Sequence, residues 1–179
     1  MSVYRDAAHG VVRAMTVDAI SLHAKSDWQN KYESGYEEGR SDNPCPLDRF
    51  DQLTQDSMAR ALLHRELSEL HWAILSAKYS LNYMEVDAAI RYLIPRAESP
   101  AHRLFITKAV FAWAVPKQRR RVKESFYQLH TWDTDGTPES TLRRWRGQTN
   151  RWLENTLTEA YKRAGLLLDD AGMIFKEAA

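Results

Sequence analysis

The chain has 179 residues, of which 44% are apolar and 27% charged, and its formal net charge is +1. That length suits one compact domain, or one domain with an appended arm, and is enough to bury a core without covalent staples. No run approaches the ~20 apolar residues of a membrane span, Met1-Ser-Val-Tyr-Arg-Asp6 lacks the apolar segment of a secretory signal, and the single Cys45 has no second thiol for a disulfide or a zinc cluster. The expectation is a soluble, cytoplasmic protein with no membrane partner.

In chain order, residues 1–46 read as an acidic, partly ordered N-terminal region, since residues 1–56 carry 6 Lys and Arg against 10 Asp and Glu. A helix is expected from Val11 to about Ala24, with Val12, Met15, Ala19, Leu22 and His23 near one face. Trp28, further along, has the character of an anchor for another protein. Ser41-Asp-Asn-Pro-Cys-Pro46 is dense in turn formers and marks a boundary; residues 47–179 follow as a helical domain.

Within that domain Asp51 to Tyr79 forms one or two helices, because Leu62, Leu63, Glu66, Leu67, Leu70, Ala73, Ile74, Ala77 and Lys78 contain an apolar i, i+3, i+4 ladder. Met84–Leu93 is a second helix, ended before Pro95. A third starts near Ser99 with Pro100 at its first position and runs to Val115; being apolar almost all round, it reads as the centre of the core. A shorter helix is expected at Val122–His130, then a turn over Thr131–Gly136. The last helix opens with Thr137 as N-cap and Pro138 at the first position, persists to about Leu168 and ends at Asp169-Asp-Ala-Gly172. No segment alternates with period two, so the fold class is all-α: a compact bundle of six or seven helices with a C-terminal helix-turn-helix-like pair and a long basic helix.

The last helix carries the chemistry. Leu142, Trp145, Thr149, Trp152, Leu153, Thr156, Ala160, Tyr161, Ala164 and Leu168 share one stripe, which is expected to be buried. Arg143, Arg144, Gln148 and Arg151 fall opposite, Asn150 lies at the flank and Arg146 at the border. Arginine contacts phosphates or guanine edges, and Asn or Gln reads adenine. Arginine-rich faces are often only solvated, but the charge distribution favours a ligand: residues 101–151 carry 11 Lys and Arg against 4 Asp and Glu, so nearly all the positive excess lies in one segment. The candidate DNA contacts are Ser140, Thr141, Arg143, Arg144, Arg146, Gln148 and Arg151, with Lys117, Arg119, Arg120, Arg121 and Lys123 on the backbone. Val122–His130 with the helix from Pro138 would form the groove-reading pair, although its turn exceeds the usual three or four residues. The rival pair is Met84–Leu93 with Ser99–Val115, using Arg96, His102, Arg103 and Lys108.

Catalytic patterns are thin. The histidines at 9, 23, 64, 71, 102 and 130 make no metal spacing, and there is neither a glycine-rich phosphate loop nor a nucleophile elbow. A non-enzyme without cofactor or metal is expected. Trp72, Trp113, Trp145 and Trp152 belong to apolar faces, and Trp132 is expected to pin its turn to the core.

The succession Leu70-His-Trp-Ala-Ile-Leu-Ser-Ala-Lys-Tyr79, a short helix, and a later Ser140-Thr-Leu-Arg-Arg-Trp-Arg146 ending in Arg151-Trp-Leu153 resembles small phage-encoded proteins related to the Q-type late-gene antiterminators, which have σ-region-4-like helix-turn-helix modules. The resemblance covers residues 60–168 and rests on degenerate patterns; the zinc-binding cysteines of one branch are absent. It implies a protein of the bacterial host cytoplasm that binds double-stranded DNA near a promoter and engages bacterial RNA polymerase, with Arg143, Arg144, Gln148 and Arg151 on bases and phosphates. Palindromic operators leave room for a homo-oligomer. Two other classes fit the same basic helix: a DNA-packaging accessory protein like a small terminase subunit, and a docking module that inhibits a host enzyme.

Overall fold

A computed structural model describes residues 4–17, 49–116 and 122–174. The protein is all-α. Among the described residues the α-helices are α1 over 7–17, α2 (Arg49–Glu66), α3 (Glu69–Tyr79), α4 (Tyr83–Leu93), α5 (Arg103–Ala114) and α6 (Glu139–Asp170), with short 3-10 turns at Ile94–Arg96, Glu124–Tyr127 and Leu129–Thr131. None of these helices is long and apolar enough to cross a membrane. The chain divides into two compact units, Met1–Leu67 with Tyr161–Ala179, and Ser68–Ala160, so α6 contributes to both.

In the first unit, Asp6 caps α1 by accepting the His9 N–H at 2.8 Å. Val11, Ala14, Met15 and Val17 of α1 are buried, together with Ala59 and Leu63 of α2 and Ala164 and Leu168 of α6. A polar knot lies among them. The fully buried Asp56 carboxylate accepts from the Tyr4 hydroxyl at 2.9 Å and from Arg13 Nη2 at 2.6 Å. Burial, and then the Asp56 charge, push the Tyr4 phenol well above its ordinary value. α6 ends as a Schellman motif: Gly172, at φ 68°, sits in the left-handed region, its N–H reaching Asp169 O and that of Met173 reaching Leu168 O. The next carbonyl step returns to the start of the chain, where the Tyr4 N–H donates to Met173 O. The part of the N-terminal region that the structure describes is therefore packed. The remainder of the expected Val11–Ala24 helix and the 41–46 boundary lie outside the described residues.

In the second unit three helix starts are each set by a side chain that caps the backbone; the first decides between the one or two helices expected, and the other two shift the expected starts. Ser68 accepts from the His71 N–H, so Asp51–Tyr79 is two helices. Asn82 accepts from Met84, starting α4 at Tyr83. His102 Nδ1 accepts from Phe105, so α5 begins at Arg103 instead of Pro100. α6 begins one residue later than expected, because the Asp133 carboxylate holds the Thr137 N–H at 2.8 Å while Pro138 O accepts the first helical bonds.

Val122–His130 is not an α-helix. Gln128, extended at φ −82° and ψ 119°, separates two 3-10 turns, and that break lets the aromatic side chains turn inward. Phe126 packs edge-on to Phe111 with centroids 5.3 Å apart, and Trp132, 1% exposed, packs on Phe105 at 5.3 Å and donates from Nε1 to Phe126 O. Ala101, Phe105, Ala109, Trp132 and Leu142 form the core at this end, with Ile106, Leu129 and Trp145 against it. Trp132 thus pins its turn to the core.

Candidate nucleic-acid interface

The N-terminal half of α6 is fixed on one side and open on the other. Leu142, Thr149, Leu153 and Thr156 are buried, as the helical period requires, while Trp145 and Trp152 are half-buried. Trp145 sits 5.6 Å from the Phe105 ring and 6.0 Å from the His102 ring, both edge-on. The outward side presents Ser140, Arg143, Arg144, Arg146, Gln148 and Arg151, all exposed; Thr141 is half-buried. Arg144 and Arg151 are seven residues apart, about 10 Å along the axis.

These cations are differently committed. Arg143 reaches back one turn to Glu139 at 2.7 Å, with both side chains exposed. A pair of that kind contributes only about 0.3–0.5 kcal/mol, so Arg143 is easily redirected to a stronger anion. The Arg146 guanidinium stands 6.0 Å from the Trp132 ring centroid, at the outer limit of a cation–π contact. Arg144, Arg146 and Arg151 have no carboxylate partner among the described residues.

Three of the four contacts of the rival pair, Arg96, His102 and Lys108, are committed internally. Arg96 stacks on Tyr92 at 3.6 Å and donates to its carbonyl, His102 caps α5 and bonds Asp133 at 3.0 Å, and Lys108 donates to Thr131 O. The Asp133 carboxyl is held below the usual carboxylate range, first by the Thr137 N–H and also by His102. Arg96 and Arg103 are exposed, and His102 and Lys108 are half-buried. α3 and α4 are joined by the three residues Ser80, Leu81 and Asn82, yet α4 carries Glu85 and Asp87, and its Arg91 is paired to Asp87 at 2.9 Å, a poor surface for a polyanion. The pair built on Val122–His130 lacks its first helix, so α6 stands as a single helix preceded by 3-10 turns.

No family model, no curated protein and no solved structure matches the chain. Its chemistry is therefore read from its side chains. Among the described residues no group of three or more His, Cys, Asp or Glu is placed to hold a metal ion. Lys117, Arg119, Arg120 and Arg121 lie outside the described residues; Lys123 is exposed just before the first 3-10 turn.

The structure adds a feature that sequence periodicity did not mark. A cavity of about 590 Å³ lies between the 3-10 turns and α6, lined by Gln128, Leu129 and His130 on one side and by Glu139, Arg143, Arg146, Gly147 and Asn150 on the other. Arg146 and Asn150 also line a neighbouring cavity of about 270 Å³ walled by Trp113, Tyr127 and Trp132. The indole N–H groups and the phenol there are used internally, by Glu154, Phe126 O and Val115 O. The Asn150 amide has no partner among the described residues. The available signals in the sequence were Asn150 at the flank and a glycine inside a helix.

Proposed function

We propose that this protein is a DNA-binding transcription regulator that acts on bacterial RNA polymerase in the manner of an antiterminator, with α6 as its DNA-contacting element. The observation that carries this reading is the exposed face of Arg144, Arg146, Gln148 and Arg151 on a helix whose other face is locked into a core. Such a face supplies guanidinium groups for phosphates or guanine edges and an amide for adenine, at fixed spacing. The resemblance of Leu70–Tyr79 and Ser140–Leu153 to the late-gene antiterminators supports the transcriptional part. So does an apolar patch at the α3–α4 turn, where Leu81, Tyr83 and Met84 are 45%, 65% and 73% exposed, the character of a surface covered by a protein partner.

Selection of bound sequences from a random duplex pool tests the reading, followed by binding of the enriched site by the wild type and by Arg144→Ala. Enrichment of a defined site, with a loss of about 1–3 kcal/mol in the variant if Arg144 reads a base, is the expected result. Absence of enrichment together with salt-independent binding would overturn it. A stable high-order ring by mass measurement would favour the packaging role instead.

A further inference from the structure

Gly147 sits in the third turn of α6, where glycine is unfavourable by about 1 kcal/mol relative to alanine. Among the described residues nothing requires it: its φ is not in the left-handed region, and a Cβ built there meets no atom within 4 Å beyond its own stretch of helix. It is exposed, and it floors the cavity between the 3-10 turns and α6. Around it stand Arg143 and Arg146, His130 across the cavity, and the unpartnered amide of Asn150. A glycine that the fold does not need, in a cavity ringed by donors, is explained by something from outside approaching the helix backbone closely.

Resting on the DNA-binding reading, we propose that a backbone phosphate of the bound nucleic acid seats over Gly147, between Arg143, Arg146, His130 and Asn150. Phosphate matches these groups. Two guanidinium groups offer paired N–H donors to its oxygens, and Asn and His add single donors. The one carboxylate in the lining, Glu139, is already neutralised by Arg143, and an arriving phosphate competes for that arginine. The seat fixes the register of α6 on the strand, leaving Arg144, Gln148 and Arg151 for base edges or neighbouring phosphates.

Two substitutions then move stability and binding in opposite directions. Gly147→Ala removes the helix penalty and raises the melting temperature, while its methyl group intrudes on the phosphate. Binding of a fluorescein-labelled mixed-sequence duplex at low salt is expected to weaken about tenfold, and the slope of log K against log salt to fall by about one. Glu139→Gln removes an acidic group from the first turn of α6, which slightly lowers the melting temperature, but frees Arg143 and tightens binding by about two- to fivefold. Neither pattern follows from a change in folding alone.

If the wild type binds the duplex, Arg144→Ala weakens it and Gly147→Ala binds as well as wild type, the DNA-binding reading stands and the phosphate seat is overturned. Weaker binding by Glu139→Gln would overturn the seat equally. If the wild type fails to bind the duplex at low salt, the DNA-binding reading falls and the seat falls with it.

Discussion

Gly10 in α1 and Gly147 in α6 both lie inside continuous helices, and the reasons differ. A Cβ on Gly10 would come within 2.9 Å of the Tyr4 ring and of Leu168 Cδ1, both fully buried, whereas a Cβ on Gly147 would meet nothing. The first glycine is demanded by packing and the second by nothing among the described residues. The contrast extends to their surroundings. Near Gly10 the fully buried Asp56 is held by Tyr4 and by a part-buried Arg13; around Gly147 the cations are exposed, and the pair of Arg143 with Glu139 is weak and wet. One region spends its polar groups on the fold, and the other keeps them available.

The largest effect expected from breaking this contrast is at Asp56. Asp56→Ala takes the fully buried carboxylate from the Tyr4 hydroxyl and from Arg13, and should destabilise the protein by about 3 kcal/mol in urea unfolding. Gly10→Ala comes next: the overlap with Tyr4 and Leu168 should cost about 1–3 kcal/mol even after the gain in helix propensity. Gly147→Ala should do the reverse and stabilise by about 0.5–1 kcal/mol by the same assay. Were both alanine variants destabilised alike, the contrast would fail.

A subtler test uses pH. The Tyr4 phenol is pushed up by burial and by the Asp56 charge, so its folded value exceeds its unfolded value of 10.0. Its contribution is present below pH 10 and is lost as pH rises above it. Unfolding followed above pH 10 should therefore show a steeper decline for wild type than for Tyr4→Phe; equal slopes would place the phenol in a more open setting. At the acid end the sign inverts for Asp133, whose folded value lies below its unfolded value of 3.8. Its contribution is present above that pH and is lost on further acidification. Asp133→Asn should lower the melting temperature at neutral pH and flatten the acid limb of the stability profile.

The buried stripe of α6 from Leu142 to Leu168 was legible in the sequence because its period is strict over many turns, and the exposure of Arg143, Arg144, Gln148 and Arg151 follows from the same wheel. The starts of α3, α4 and α5 were harder to read, since Ser68, Asn82 and His102 cap helices inside stretches whose apolar pattern is nearly continuous or is preceded by a misleading proline. Residues 122–130 misled for another reason. Val122, Phe126 and Leu129 have helical spacing, but the need to bury Phe126 and Trp132 against Phe105 and Phe111 overrides it and breaks the helix at Gln128. The cavity at Gly147 was not legible, because Gln128 and His130 reach it only through that break.

The most direct test of the claim that α6 offers its arginine face to nucleic acid is a salt titration of binding to a mixed-sequence duplex by wild type and by Arg144→Ala/Arg151→Ala. The account predicts strong binding at low salt, a steep decline as salt rises, and a double variant of unchanged melting temperature whose slope of log K against log salt is smaller by about two. Equal affinity and slope for the two proteins would contradict it.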